Sequence, residues 1–214
     1  MSQSEDQGPV GGIERPRRRW GLWQQRAGCA RAFGLTIGGT VAFYLWVIGT
    51  PAQAVAAPWS PASQALWISI VASAFLIALL PLCGIASDRI GRRPLLLLSF
   101  LGTAVVVFPA MALLHAGAWS MAVALFLAMV FPAPFAAVIP AVYAELFPAG
   151  MRATGSGFGA ALATAAFGGT APNLQTWLTT SGRTNLFAGY VFVLMLISAA
   201  VAAWTPETAG APLD

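Results

Sequence analysis

The sequence predicts an all-α integral membrane protein, a six-helix transmembrane bundle, and three observations carry that expectation. Of 214 residues, 58% are hydrophobic and only 8% are charged, against roughly 25% charged in an ordinary soluble domain. No Asp, Glu, Lys or Arg occurs from residue 32 to 87, or again from 94 to 144. The apolar runs are apolar throughout rather than alternating, which excludes a β-barrel and suits helices of about 20 residues crossing a bilayer.

The elements follow in order. Residues 1–31 form a polar, Arg-rich segment. Its Arg18–Arg19 pair and the "AGC" ending at Cys29 lack the apolar stretch that an export or lipoprotein signal needs. Trp20 and Trp23 among the arginines fit a short helix on the membrane surface. Six spans are expected at residues 32–56, 64–86, 94–114, 119–144, 154–178 and 186–204, and residues 205–214 form a tail. The separators "APWSPAS", "SDRIGRR", "HAGA", "ELFPAGMR" and "TSGRTN" carry Pro, Gly or charge. In the first span Thr36, Thr40 and Tyr44 recur at i, i+4 and i+8 on one face, as Ser69 and Ser73 do in the second. Pro132, Pro134 and Pro140 suggest kinks in the fourth span. Gly155 and Gly159 give the fifth span a small-xxx-small packing face, a better reading than a nucleotide-binding loop because no strand precedes it. Later in that span Asn173 and Gln175 follow Pro172, where a helix distorts and frees its carbonyls.

All eleven basic residues are Arg. Alternating the loops across the membrane puts Arg15, Arg17, Arg18, Arg19, Arg26, Arg31, Arg89, Arg92, Arg93 and Arg152 on one side and Arg183 alone on the other. That asymmetry makes both termini cytoplasmic in a multi-pass plasma (inner) membrane protein. Two cysteines, Cys29 and Cys83, are too few for a disulfide framework. His115 is the single histidine, at the outer end of the third span. No catalytic triad, metal cluster or nucleic-acid footprint is visible, so the reading is a non-enzyme without a cofactor, partnered by the lipid bilayer.

One patch asks for more than topology. "GIASDRIGRRP" packs Asp88, Arg89, Arg92 and Arg93 into six positions of an otherwise uncharged stretch. Burying such groups mid-membrane costs about 2.5–3.5 kcal/mol each, so they mark a loop. Gly84 and Gly91 allow close helix approach and a tight turn. Asp88 can accept from amides at a helix N-terminus. Glu145, ending the fourth span on the same face, is the expected partner of Arg92 or Arg93, joined by Arg152. Such a cluster can latch one conformation; the alternative is that the arginines only set topology and touch lipid phosphates.

The pattern Gly84-x-x-x-Asp88-Arg89-x-Gly91-Arg92-Arg93 resembles the cytoplasmic-loop signature of the major facilitator superfamily. "AELFPAGMRATGSG" resembles that superfamily's E-x-x-P-x-x-x-R pattern, with Glu145, Pro148 and Arg152 in place. "GLTIGGTVAFY" and "FGGTAPNLQTWL" look like the seventh and eleventh helices of its metabolite:proton symporter family, which includes permeases for 2-oxoglutarate, citrate, shikimate and proline or betaine. The resemblance covers residues 31–207 and implies the C-terminal six-helix half of a major facilitator fold. It implies secondary transport of a small organic metabolite, such as a di- or tricarboxylate, coupled to protons. It further implies that an N-terminal six-helix half or a second copy completes the site. The first, second, fourth and fifth spans of such a half face the substrate path, which makes Thr36, Thr40, Tyr44, Asn173 and Gln175 the candidates there. No Asp, Glu or Arg falls mid-membrane, where a proton carrier would sit. The competing expectation is a transport-inactive fragment or an assembly-only subunit.

Overall fold

The computed structural model describes residues 22–56, 61–114, 117–147 and 152–207. The described residues open with α1 (Leu22–Phe43), which continues through a π-helical segment (Tyr44–Gly49) into α2 (Thr50–Ala56). Then come α3 (Ala62–Ile90), α4 (Arg92–Leu113), α5 (Ala118–Val130) and α6 (Pro132–Leu146). Next, α7 (Arg152–Ala163) runs into a second π segment (Thr164–Gly168), followed by α8 (Ala171–Thr180) and α9 (Thr184–Trp204). Among the described residues five helical stretches are long and apolar enough to cross a membrane: Arg26–Gln53, Ala62–Ile90, Arg92–Leu113, Ala118–Leu146 and Thr184–Trp204.

The differences from the expected spans have local causes. The first helix is already formed at Leu22, ahead of residue 32; charge ends a membrane span but does not end a helix. The fifth span, expected as one helix over 154–178, is α7, a π segment and α8, interrupted at Gly169–Thr170. Pro172, near the start of α8, has no N–H to give the carbonyl of Gly168, so the α-helical ladder cannot run through. Likewise Pro51 cannot serve Val47, and the preceding turn relaxes to a π register in which the Thr50 N–H reaches the Leu45 carbonyl. In the fourth span the break falls at Phe131, before Pro132 and Pro134, while Pro140 sits inside α6.

The charged patch is not a loop. α3 carries Asp88 and Arg89 in its last turn and α4 starts at Arg92, so a single residue, Gly91 at φ +106°, makes the whole corner. Gly84 makes no close approach: a Cβ there would meet nothing within 4 Å. Arg15, Arg17, Arg18, Arg19, Trp20, His115, Pro148 and residues 208–214 lie outside the described residues, as do the side chains of Trp23 and Arg152.

α4 packs along α9, α1 along α7 and α9, and α3 along α5 and α6. The buried core runs through Leu35, Leu96, Phe100, Met121, Leu125, Phe187 and Met195. Lipid is as apolar as these side chains, so close backbone approach does much of the holding. Gly159 faces the backbone of α1, where a Cβ would fall 3.0 Å from the Cys29 carbonyl oxygen and 3.2 Å from the Ala32 Cβ. The Ser198 hydroxyl of α9 donates to the Gly34 carbonyl at 2.7 Å and accepts from the Gly38 N–H at 2.9 Å. The outside is correspondingly greasy, with Trp67, Ile77, Val105, Trp119 and Phe158 exposed.

Candidate functional site

Two features stand apart in the bundle, one at the helix ends around Gly91 and one midway along the spans. The first is the corner at Gly91. Arg92 opens α4, and its guanidinium reaches across to Glu145 at the end of α6: Nε lies 3.0 and 3.1 Å from the two carboxylate oxygens, and Nη2 lies 2.9 Å from Oε1. Nη1 adds the Ser87 hydroxyl at 3.3 Å and Asp88 Oδ1 at 3.5 Å, both at the end of α3. The Arg92 and Glu145 side chains are 17% and 9% exposed, whereas Asp88 is 73% exposed. One guanidinium thus ties the ends of three helices, and the strong contact is the shielded, doubly hydrogen-bonded one.

Glu207, just past α9, supplies what the sequence reading gave to Asp88. Its carboxylate accepts from the backbone N–H of Arg92 at 2.8 Å and of Arg93 at 3.2 Å. These are donors that a helix start leaves unmatched, and the carboxylate also complements the helix dipole. Asp88 cannot do this, because it lies on the preceding helix and pairs outward with Arg92. Gly91 is required here twice over: its φ is positive, and a Cβ would fall 2.8 Å from a Glu207 oxygen. Arg89 and Arg93 are exposed, so the pairing with Glu145 falls to Arg92.

The second feature is a cavity of about 330 Å³. Its walls come from the first span (Gly39, Thr40, Tyr44, Trp46), α3 (Leu76), the fourth span (Met129, Pro132, Phe135) and the second π segment (Thr164). These are the first, second, fourth and fifth spans, the set the resemblance implied. The lining is aromatic and apolar, with hydroxyls from Tyr44, Thr40 and Thr164; the two threonine oxygens are 3.4 Å apart. Gly168 makes the room, since a Cβ there would fall 2.6 Å from the Tyr44 ring and 3.0 Å from the Thr40 methyl.

Of the five expected path residues, Thr40 and Tyr44 line this cavity. Thr36 is buried beneath it, donating to the Ala32 carbonyl at 2.6 Å and hydrogen-bonded to the Tyr143 hydroxyl. Asn173 is exposed on α8. Gln175 is 1% exposed, with its carboxamide packed against Gly49 rather than in the cavity wall. Ser69 bonds the Ala65 carbonyl of its own helix at 2.8 Å. Trp46, Phe135 and Thr164 escaped the sequence reading. The crowding of Tyr44 and Trp46 ahead of Pro51 was the available signal, because a π turn widens the helix where it must pass a proline.

The profile of the family described as "Sugar (and other) transporter" matches residues 56–214. Among curated proteins, the chain is 27% identical over 180 residues to the alpha-ketoglutarate permease of Escherichia coli (strain K12), covering 83% of this chain and 42% of that one. It is 33% identical over 142 residues to the citrate-proton symporter of Klebsiella pneumoniae, covering 65% of this chain and 32% of the symporter. It is 26% identical over 196 residues to the proline/betaine transporter of Escherichia coli (strain K12), covering 89% and 38%. The chain spans less than half the length of each of these relatives.

Proposed function

From a chain that belongs to the sugar (and other) transporter family of the major facilitator superfamily, we propose one six-span half of a secondary transporter that moves a small organic acid together with protons. The observation that carries this reading is the cavity. It is framed by four spans, and hydroxyl-bearing Thr40, Tyr44 and Thr164 stand in an otherwise aromatic and aliphatic wall. No Asp, Glu, Arg or His is among its lining residues. The charge that neutralises an organic acid and the group that carries the proton are therefore assigned to an N-terminal half or to a second copy. The ten-to-one distribution of arginine supports an inner-membrane orientation with both termini cytoplasmic.

The corner at Gly91 is the conformational latch of this reading. Arg92 joins the ends of α3, α4 and α6, and alternating access requires only a few kcal/mol of bias between states. Gly91, Arg92, Glu145 and Asp88 form it, with Glu207 added; the exposed Arg89 and Arg93 contribute orientation.

Uptake of labelled 2-oxoglutarate, citrate and proline tests the proposal, in cells expressing the chain alone and with a six-span N-terminal half. Uptake that depends on the partner supports a split carrier. Absence of uptake in both arms, with the chain present in the membrane, favours the assembly-only reading.

A further inference from the structure

A threonine hydroxyl inside a membrane span ordinarily turns back on its own helix, because a carbonyl one turn earlier is within reach and lipid offers no partner. Thr36, Thr103, Thr170 and Thr176 do this, donating to the carbonyl four residues earlier at 2.6 to 2.9 Å. Thr40 and Thr164 differ. Their hydroxyls face each other across the seam between the first span and the second π segment, with the two oxygens 3.4 Å apart. That is beyond the usual O–H···O range of about 2.5–3.0 Å, so neither hydroxyl is saturated. Both residues line the cavity, Thr40 half-buried and Thr164 exposed. Four residues further along each element, the Tyr44 ring packs on Gly168, where a Cβ would fall 2.6 Å from the ring and 3.0 Å from the Thr40 methyl. The hydroxyl pair and the ring on its glycine are two adjacent rungs of one seam.

We propose that Thr40 and Thr164 are a specificity-determining pair that reads one uncharged oxygen of the ligand, a hydroxyl or a keto group, with Gly168 holding the gap open for it. Two hydroxyls 3.4 Å apart can both reach a single oxygen placed about 2.8 Å from each. Each hydroxyl can donate or accept. The pair therefore suits a keto oxygen, which takes two hydrogen bonds, and equally a hydroxyl, which takes one and gives one. A carboxylate is a poor occupant of this position. No cation is among the lining residues, and two neutral hydroxyls do not offset the desolvation of a charge against an aromatic and aliphatic wall. A methylene in the same place leaves both hydroxyls without a partner, and a site built to hydrogen-bond an oxygen discriminates most strongly against the analogue that lacks it. Gly168 acts through its neighbours, since any side chain there presses on the Tyr44 ring and the Thr40 methyl and displaces the hydroxyl. The inference rests on the transport reading for the ligand being a small organic acid, and adds which of its atoms this half recognises.

The test is equilibrium binding to the purified full chain in nanodiscs, with two pairs of ligands that differ by that one oxygen: citrate against tricarballylate, and 2-oxoglutarate against glutarate. In the wild type the oxygen-bearing member of each pair is expected to bind about threefold to tenfold more tightly, the effect of one neutral hydrogen bond. Thr40→Val and Thr164→Val keep the branched shape and lose the hydroxyl. Each should bring both ratios close to one, by weakening citrate and 2-oxoglutarate while leaving tricarballylate and glutarate unchanged. Thr40→Ser and Thr164→Ser keep the hydroxyl and should keep the ratios, whereas Gly168→Ala should lower them. The melting temperatures of the valine variants should match the wild type, because the hydroxyls serve the ligand rather than the fold. Ratios close to one in the wild type overturn the proposal, as expected of a pair that holds only water. Ratios that survive both valine variants overturn it too, with or without a fall in melting temperature, as does a wild-type chain that binds none of the four ligands. Oxygen-dependent binding without uptake leaves the pair standing while the transport reading falls; partner-dependent uptake that accepts citrate and tricarballylate alike does the reverse.

Discussion

Replacing the two sides of the Arg92–Glu145 contact, singly and together, measures what the corner is worth. Three nitrogen–oxygen distances of 2.9 to 3.1 Å join the pair, and its side chains are only 17% and 9% exposed. An exposed ion pair contributes about 0.2–1 kcal/mol, whereas removing one partner of a buried pair costs about 3–5 kcal/mol. Arg92→Met leaves the Glu145 carboxylate shielded and without its cation, so the lower end of the buried range applies, about 3 kcal/mol. Glu145→Gln is milder, about 2 kcal/mol, because Arg92 keeps Ser87 and the water-facing Asp88. The double variant leaves no lone charge and should lose about 3 kcal/mol, which gives a coupling of about 2 + 3 − 3 = 2 kcal/mol. SDS-induced unfolding of the purified chain in mixed micelles reads all four corners of the cycle. Raising salt should change the coupling little, because the pair is shielded. A coupling below about 0.5 kcal/mol, or one that vanishes at high salt, would refute the argument and return Arg92 to a topological role.

Three further outcomes are expected in the same unfolding assay. Gly91→Ala forces a Cβ onto a φ of +106° and to 2.8 Å from a Glu207 oxygen, and should cost about 2 kcal/mol. Glu207→Ala removes the acceptor for two N–H groups of α4 and should cost about 1 kcal/mol; its effect should be smaller in the Gly91→Ala background, where the carboxylate is already displaced. Gly159→Leu pushes a side chain into the α1 backbone, which cannot yield as a flexible side chain can, and should cost about 3 kcal/mol, whereas Gly157→Leu, with open space around it, should be nearly silent.

What the sequence disclosed and what it withheld divide along physical lines. The helices were legible because a membrane demands long apolar runs, and the partnership of Arg92 or Arg93 with Glu145 because few charges exist to pair. The choice of Arg92 was not legible. It depends on how far α3 runs past the last apolar residue, and a helix can carry Asp88 and Arg89 into water without breaking. Glu207 was overlooked because it is distant in sequence and sits in what reads as a tail. The cavity-lining spans followed from the resemblance, and Thr40 and Tyr44 followed from their spacing. Thr36 shares that face, yet Tyr143 of α6 closes over it, a contact no single-helix pattern reveals. Gln175 was marked as polar and therefore exposed to a path; its burial against Gly49 depends on the π segment that Pro51 induces.

The corner and the cavity are 50 to 100 residues apart in places, yet two rigid elements join them. α6 carries Glu145 at one end and Pro132 and Phe135 in the cavity wall at the other. α3 carries Asp88 at one end and Leu76 in the same wall. A helix moves as a unit between its breaks, and the fourth span has its break at Phe131, beside the cavity. On the proposed reading, release of Glu145 by Arg92 would free the end of α6 to swing about that break and carry Phe135 with it. Phe135 fills the space that Gly39 leaves on the first span, so the swing would reshape the wall where Thr40 and Tyr44 stand. A ligand that favours one shape of that wall therefore biases the ion pair, and by thermodynamic reciprocity the ion pair biases the affinity of the ligand. If so, Glu145→Gln should change substrate affinity although it lies far from the cavity, whereas Glu207→Ala, which loosens α4 alone, should not. An equal effect of the two variants on labelled citrate binding would show general softening of the bundle rather than a hinge.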